Sequence, residues 1–318
     1  MSGRFSILYI AEADPEEAIL SSGALAYLAE NIPHAEFTVV GSSASAPLFA
    51  DLPGLRKLIF LDKDGRWDWI ALWNQVRHTH WKLVVDQRGS TLSGKLRRDR
   101  RAVRTANTPG VHLVEEAARL LQLDEIPAPK LFFSQETMAV ADSFIPQGDE
   151  PILAIGPGVD WIGKRWPAER YAKVAAALLA PGGPLDGGRL MIVGEDADRD
   201  AAHTIRFAVR RDRVIELQGK LTRLQTAAAL RHANLFIGAD SVWTQLAVAA
   251  DVPSVAVFGP SDDRTRRPWN GIAVRGPRSI EEFREIDPRL NQHIQHMMDL
   301  PADRVLKKTL KMLTEMAE

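Results

Sequence analysis

The sequence predicts an α/β protein built from two parallel-sheet domains. Short apolar runs of strand length alternate with longer segments in which apolar residues recur at helical spacing. The alternation stops at 145–151, a segment of Pro, Gly and acidic residues that we interpret as a linker, and then starts again. Alternating strands and helices favour a parallel sheet covered on both faces. Two Rossmann-like domains facing across a cleft are therefore the simplest architecture.

Residues 1–147 are expected to form the first domain. Its predicted strands are Ile7–Ile10, Phe37–Val40, Leu58–Leu61 and Leu83–Val85. Its predicted helices cover 15–30, 66–79, 111–121 and 134–144. Pro15 suits the first turn of the first helix, because its fixed φ is compatible with a helix start.

Residues 148–318 are expected to form the second domain. Its predicted strands are Ile152–Ile155, Leu190–Val193, Val214–Leu217, Leu235–Ile237 and Ser254–Phe258. Its predicted helices cover 167–178, 198–210, 222–231, 243–250 and 303–316. The last helix has an apolar face, which we expect to pack back on the first domain.

Composition excludes several classes of protein. The chain has 318 residues, 45% of them hydrophobic, and a net charge of −1, so nothing global favours nucleic-acid binding. Cysteine is absent, which excludes a disulfide scaffold and indicates a reducing compartment. No apolar run approaches the ~20 residues that a membrane span needs. The eight histidines lack metal-ligand spacing, so no metal site is predicted.

Common nucleotide and hydrolase motifs are also missing. Neither half has a G-x-G-x-x-G after its first strand, and the chain has no Walker-type loop and no G-x-S-x-G. The segment 234–260 remains, and it forms a complete strand–helix–strand unit with Asp240 or Ser241 at the helix N-cap. Ligands of open parallel sheets bind at such strand ends. The alternative is an ordinary capped crossover helix.

A second candidate element follows the first strand of the second half. Gly158 opens a loop there, and Lys164 stands just before a helix. A lysine supplies charge, a glycine lets the backbone approach closely, and helix N-termini supply N–H donors, so the set suits a diphosphate. The alternative is that Lys164 and Arg165 are solvated loop charges that bind no ligand.

Together these segments resemble glycosyltransferase family 9, the ADP-heptose:lipopolysaccharide heptosyltransferases. Lys164-Arg-Trp-Pro167 is similar to the family's K-x-W-P segment, and 234–260 is similar to its long D-S-G-x-x-H segment. Leu190–Glu195 and Leu217–Lys220 resemble two further glycine turns, and in the first half Ile19–Leu25 and Leu83–Gly89 resemble its first helix and a later strand. The resemblance implies a GT-B fold and an inverting, metal-independent transferase that uses a nucleotide-sugar donor, ADP-heptose above all, and no cofactor.

The resemblance also implies site residues. Lys164 matches the lysine that contacts the donor diphosphate, Asp240 and Ser241 match the donor-side pair, and Gln245 stands where the family has histidine. Val242 and Trp243 replace smaller family residues, so an alternative is a catalytically impaired GT-B protein with a binding or scaffold role. The family's base falls on Glu17, and Asp14 is close by; either carboxylate is a candidate to deprotonate the acceptor.

A basic run precedes the third predicted helix. Arg97, Arg98, Arg100 and Arg101 are candidates to bind an anionic glycolipid acceptor, such as a lipopolysaccharide core, or the membrane surface. The alternative is a solvated helix face. The expected location is the cytoplasm, with peripheral contact at the cytoplasmic face of the inner membrane.

Overall fold

The computed structural model describes residues 5–317 and divides into two compact units, 1–134 and 135–318. The first unit contains a parallel sheet in the order β3-β2-β1-β4-β5. Its strands are β1 (Phe5–Ile10), β2 (Ala35–Gly41), β3 (Leu55–Phe60), β4 (Trp81–Asp86) and β5 (Arg98–Val103). Its helices are α1 (Pro15–Leu20), α2 (Ser22–Asn31), α3 (Arg66–Val76) and α4 (Leu113–Leu120).

The second unit contains a parallel sheet in the order β11-β10-β9-β6-β7-β8. Its strands are β6 (Ile152–Gly156), β7 (Arg189–Ile192), β8 (Val214–Glu216), β9 (Leu235–Ala239), β10 (Ser254–Phe258) and β11 (Gly271–Arg275). Its helices are α5 (Gln135–Asp142), α6 (Ala168–Leu179), α7 (Arg199–Ile205), α8 (Arg223–Leu230), α9 (Val242–Ala249), α10 (Asp263–Arg266), α11 (Ile280–Ile286) and α12 (Ala302–Ala317).

The central strands of the second unit explain why the sequence signal was clear there. Every residue of β6, β9 and β10 is buried. A strand covered on both faces has a nearly continuous apolar sequence, because neither side of the pleat meets water. The predicted parallel sheets of both halves are therefore confirmed.

The first predicted helix is in fact two helices that meet at Ser21. The Ser21 hydroxyl donates to the Glu17 carbonyl at 2.9 Å, and the Ser22 hydroxyl donates to the Ile19 carbonyl at 2.6 Å. Such bonds compete with the backbone ladder and interrupt or bend helices. The apolar periodicity passes through the break, so it could not reveal it.

The basic run is an edge strand, β5, and not a helix face. Side chains of a strand alternate between the two faces of a sheet, so Arg98 and Arg100 lie on one face while Arg97 and Arg101 share the parity of the other. Charged edge strands resist pairing with other chains. The four arginines do not form one continuous patch.

The second unit begins with α5. The contacts divide the chain at Ser134/Gln135, where the sequence suggested 147/148, because α5 packs on α8 with Asp142 Oδ1 2.8 Å from His232 Nε2. The final helix places Val305 and Met312 in the core of the second unit, against α6, and its expected packing on the first domain stays a prediction.

Candidate functional site

The sheet of the second unit reverses its strand order between β6 and β9. The chain adds β7 and β8 on one side of β6 and then crosses to form β9 on the other side. In open α/β sheets, the carboxyl ends of the strands at such a switch point form the crevice that binds a ligand. The predicted donor residues follow β6 and β9, so the topology brings them together.

Lys164 and Asp240 meet at this switch point. The Lys164 ammonium is 3.5 Å from Oδ2 of Asp240 and 3.2 Å from Oδ1 of Asp160. The side chains of Asp240 and Lys164 are 1% and 14% exposed, whereas that of Asp160 is 65% exposed. A buried carboxylate next to a phosphate would repel it, so we interpret Asp240 as the group that holds the lysine in position.

The loop that carries Lys164 is hydrogen-bonded to the segment 292–300. Trp161 donates its indole N–H to the Gln292 carbonyl at 2.7 Å, and Trp166 donates to the Leu300 carbonyl at 2.9 Å. Trp166 is also buried edge-to-face against Tyr171, with ring centroids 4.6 Å apart. The tryptophan of the Lys-Arg-Trp-Pro segment therefore has a structural role, and it fixes the backbone from which Lys164 projects.

Ser241 is the N-cap of α9, but its side chain does not cap the helix. Its backbone is extended, and among the described residues its buried hydroxyl has no hydrogen-bond partner. Buried hydroxyls are nearly always hydrogen-bonded, so an unpartnered one at a strand end suits a ligand oxygen. Of the two expected caps, Asp240 and Ser241, the structure thus selects Ser241 and leaves its hydroxyl for other contacts.

Gln245 and Gly158 have packing roles in the structure. The Gln245 amide donates to the Arg266 carbonyl at 2.9 Å and thereby ties α9 to α10. A Cβ at position 158 would fall 2.3 Å from Asp198 Oδ2 and 2.8 Å from Trp243 Nε1. Gly158 is therefore required for the close approach of the loop to Trp243. Its predicted contact with the donor stays a prediction.

The first unit has a switch point of its own, between β1 and β4. Glu12 and Ala13 follow β1, and Arg88 and Gly89 follow β4. A pocket of about 860 Å³ lies at this edge. Its described lining residues are Glu12, Ala13, Asp64, Arg66, Trp69, Ile70, Trp73, Arg88, Gly89, Ser90, Thr91, Leu92 and Lys95. Aromatic rings and cations in one cavity suit a sugar that carries an anionic group.

Arg88 is the most buried cation of this pocket. Its guanidinium donates to the Ala11 and Leu61 carbonyls at 2.9 and 3.1 Å, while Nη2 is buried without a hydrogen-bond partner among the described residues. Gly89 follows it with φ of +66°, and a Cβ there would lie 2.7 Å from the Arg104 carbonyl. Only glycine fits this turn. The turn lets the backbone after Arg88 pass close to the backbone of Arg104.

Glu12 lies beside these arginines, and sequence analysis missed it. Its Oε1 is 2.7 Å from Arg104 Nη1, and its side chain is 13% exposed. Burial raises the pKa of Glu12 to about 7; Arg104 opposes the rise, and the charge of Glu17 adds to it. Titratable groups with perturbed pKa values in a pocket are candidates for chemistry. The only available signal was its position just after the first strand.

The two predicted bases have different surroundings. Asp14 is exposed, and its Oδ1 accepts the Glu17 backbone N–H at 3.0 Å as the N-cap of α1. Glu17 is in the first turn of that helix, close enough for its charge to raise the pKa of Glu12. Of the described carboxylates at the β1–α1 junction, Glu12 lines the pocket, whereas Asp14 and Glu17 do not.

Two features of the described residues bear on metals and membranes. Within 5–317, no three His, Asp or Glu side chains come close enough together to hold a metal ion. Over the same residues, no helix combines the length and the apolar character needed to cross a bilayer.

The chain is similar in sequence to known transferases. The family model "Glycosyltransferase family 9 (heptosyltransferase)" matches residues 73–281. Lipopolysaccharide heptosyltransferase 3 of Escherichia coli K12 is 26% identical over 65% of this chain and 61% of its own length. Lipopolysaccharide heptosyltransferase 2 of Salmonella typhimurium is 25% identical over 59% and 54%. The chain thus spans about three fifths or less of the length of these two relatives.

Solved structures share the fold over nearly the whole chain. A glycosyl transferase family 9 protein from Veillonella parvula has a TM-score of 0.78 at 19% identity, covering 99% of both chains. Escherichia coli ADP-heptose heptosyltransferase II has a TM-score of 0.73 at 18% identity, covering 98% and 100%. The E. coli heptosyltransferase WaaC, solved with ADP, has a TM-score of 0.68 at 15% identity over 98% and 100%. They confirm the predicted GT-B fold, and with the family match, which covers more than half of the chain, they identify it as a member of glycosyltransferase family 9.

Proposed function

We propose that this protein transfers a sugar from a nucleotide-sugar, ADP-heptose above all, to a hydroxyl of an anionic lipopolysaccharide-core glycan. The observation that carries the proposal is the meeting of Lys164, Asp240 and the buried Ser241 hydroxyl at the β6–β9 switch point. A cation and an unpartnered hydroxyl at strand ends suit a diphosphate. The names of the relatives, which are lipopolysaccharide heptosyltransferases, support the sugar and the acceptor class.

The proposed chemistry is an inverting displacement without a metal ion. A carboxylate takes the proton of the acceptor hydroxyl, and the oxygen attacks the anomeric carbon as the bond to the diphosphate breaks. Lys164 stabilises the charge that develops on the diphosphate. The family resemblance assigns the carboxylate to Glu17, with Asp14 as the alternative.

The acceptor side of the proposal rests on the pocket of the first unit. Trp69 and Trp73 offer faces on which a sugar ring can stack, and Arg66, Arg88 and Lys95 offer positive charge to a phosphate or carboxylate. The protein is proposed to act in the cytoplasm at the surface of the inner membrane, which holds such an acceptor. Trp67, 78% exposed on α3 next to this pocket, supports the peripheral contact.

A second candidate function is donor binding without transfer. Trp243 favours it, because its side chain packs against Gly156 and Gly158, at the strand end where the donor would bind. A transfer assay on a protein that binds a nucleotide-sugar separates the two candidates. Turnover excludes the binding role, and saturable binding without any turnover supports it.

Donor binding is the first test. Thermal-shift and calorimetric measurements with ADP, UDP, GDP and their sugar conjugates should show stabilisation by ADP compounds, because a ligand that binds the native state raises its stability. Ser241→Ala should weaken that binding, and Thr314→Ala, an exposed hydroxyl on α12, is the matched control. A folded protein that binds none of these nucleotides would contradict the proposal.

A further inference from the structure

Glu12 lies at the switch point of the first sheet, just beyond Ala11, which follows the end of β1. Its side chain lines the 860 Å³ pocket. We propose that Glu12 is a further catalytic residue, the carboxylate that takes the proton from the acceptor hydroxyl. The inference rests on the transferase function proposed above and assigns its base to a residue that the family resemblance does not select.

Buried polar groups hold the Glu12 carboxylate in place. Arg104 Nη1 contacts Oε1 of Glu12 at 2.7 Å, so a charged group orients the carboxylate. The other end of the Arg104 guanidinium, Nη2, donates to the Gln87 side-chain oxygen at 2.8 Å. Gln87 in turn donates to the Tyr9 hydroxyl at 3.1 Å, and Tyr9 donates to the Ser21 carbonyl at 3.3 Å. A base held by a chain of fixed groups keeps its geometry during turnover.

The surroundings also suit the proton-acceptor role. A carboxylate in water is too weak a base for efficient proton transfer near neutral pH, and partial burial strengthens it. Burial raises the pKa of Glu12 to about 7, even though Arg104 lies beside it. Asp14 is exposed and engaged in capping α1, so it lacks this environment.

In the proposed step, the hydroxyl proton passes to the carboxylate of Glu12, and the oxygen's electron pair forms the new bond to the anomeric carbon. The bond from that carbon to the diphosphate oxygen breaks, and its electron pair leaves with the nucleoside diphosphate. Glu12 is left as the neutral acid and returns the proton to water. No metal or redox partner enters the step.

The test compares transfer rates of variants in the full chain. The donor is the nucleotide-sugar that stabilises the protein most, and the acceptor is a truncated lipopolysaccharide core. Glu12→Gln should lower kcat by about 100-fold or more, since general-base catalysis contributes about 10²–10⁴-fold. The KM for the donor should stay within about twofold, because the donor residues are in the other unit. Glu115→Gln on α4, a carboxylate of the same unit outside the pocket, is the matched control.

The pH profile separates a base from a merely structural residue. In the wild type, kcat should fall on the acid side as Glu12 is protonated, and Glu12→Gln should abolish that limb. Glu17→Gln should move the limb to lower pH, because the charge of Glu17 raises the pKa of Glu12. Glu12→Asp keeps a carboxylate and should recover part of the rate. If Glu12→Gln folds poorly, the rate and pH profile of Glu12→Asp still test the assignment.

Three outcomes decide the matter. Loss of rate and of the acid limb in Glu12→Gln, with the donor KM retained, supports Glu12. The assignment is overturned if Glu12→Gln has the wild-type kcat, or if Glu17→Gln is the only variant that loses the acid limb. Either result is still compatible with the transferase function. A wild-type protein that binds donors and never transfers sugar overturns the proposed function, and the assignment of Glu12 as its base falls with it.

Discussion

The Lys164 ammonium lies 3.5 Å from Oδ2 of Asp240, in surroundings where the aspartate side chain is only 1% exposed. A buried carboxylate depends on its partner, because losing that partner leaves a charge that water cannot reach. The relationship links stability to function, since the same ammonium is proposed to meet the donor diphosphate.

Lys164→Met should therefore affect both properties. We expect the free energy of unfolding to fall by about 3 kcal/mol, as for other broken buried pairs. ADP binding should weaken by about tenfold or more, the loss expected for a hydrogen bond to a charged group. Urea unfolding and calorimetry measure the two effects.

Lys173→Met is the matched control. Its ammonium is 2.9 Å from Asp303, but both side chains are mostly exposed. Exposed pairs contribute about 0–1 kcal/mol, so its loss should cost little. Equal effects of the two substitutions on ADP affinity would contradict the role given to Lys164.

The raised pKa of Glu12 predicts how stability depends on pH. Between its ordinary value of 4.5 and about 7, the native state binds the proton that the unfolded state has released. Since stability falls with pH wherever the native state binds more protons, Glu12 lowers stability as pH rises through this window. The full penalty, up to about 3 kcal/mol, is present above the folded pKa.

Glu12→Gln removes that penalty. The stability of the variant relative to the wild type should rise from about pH 4 to about pH 8, by up to about 3 kcal/mol. Urea unfolding at several pH values measures the difference, and Glu115→Gln corrects for the general loss of one carboxylate. A difference that stays constant across this range would show that the pKa of Glu12 is not raised.

The alternation of β5 makes a prediction about the acceptor. An ideal Cβ at Gly94 would lie 3.5 Å from Arg101 Nη1, and the neighbouring Lys95 lines the pocket. The face of β5 that carries Arg101 is thus the one beside the pocket. Arg97→Ser/Arg101→Ser should raise the KM for a phosphorylated core acceptor by about tenfold, the loss of one charged hydrogen bond.

Arg98→Ser/Arg100→Ser tests the other face of the same strand. It removes the same charge, so a general electrostatic effect would change the acceptor KM equally in both double variants. We expect a smaller change than in Arg97→Ser/Arg101→Ser, and a larger one would place the acceptor on the opposite face. Unchanged kinetics in both would exclude the basic run from acceptor binding.

The sequence predicted most of the fold because the central strands are buried on both faces. It did not predict β5, because this strand lies at the edge of the sheet and carries charged residues in place of alternating apolar and polar ones. Nor did it predict β11, a short edge strand that begins with Gly271, or the break between α1 and α2 at Ser21. The two edge strands lack a clear apolar pattern, whereas at Ser21 the pattern continues across a break made by local hydrogen bonds.

The sequence could predict that the proposed donor residues lie together, but not the surroundings of Glu12. Lys164, Asp240 and Ser241 follow strands that the pattern identifies, so topology alone brings them together. Glu12 depends on Arg104, which Gln87 holds in place. Both residues are distant from Glu12 in sequence, and they come near it only because β1 pairs with β4 and β4 pairs with β5. No spacing within one segment can signal a contact of that kind.

The exposed face of α3 predicts binding to anionic membranes. Trp67 and Ile70 are 78% and 36% exposed, with Arg66 and Arg77 on the same helix or at its end. Trp suits the interface between headgroups and acyl chains, and basic residues attract anionic lipids. The protein should therefore sediment with vesicles that contain phosphatidylglycerol more than with pure phosphatidylcholine vesicles, and less so at high salt.

Trp67→Ser should weaken this binding by about tenfold, because burying such a side chain is worth about 1.5–3 kcal/mol. Phe207→Ser is the matched control, since Phe207 is 69% exposed in the second unit and stacks beside Arg206. Vesicle binding should be retained in that variant. Equal losses of vesicle binding in both variants would mean that any exposed aromatic residue contributes, wherever it lies. Unchanged vesicle binding in Trp67→Ser would show that α3 does not contact the membrane. Transfer to a water-soluble, de-lipidated acceptor should be the same for Trp67→Ser and the wild type, because the substitution acts on membrane binding and leaves the pocket intact.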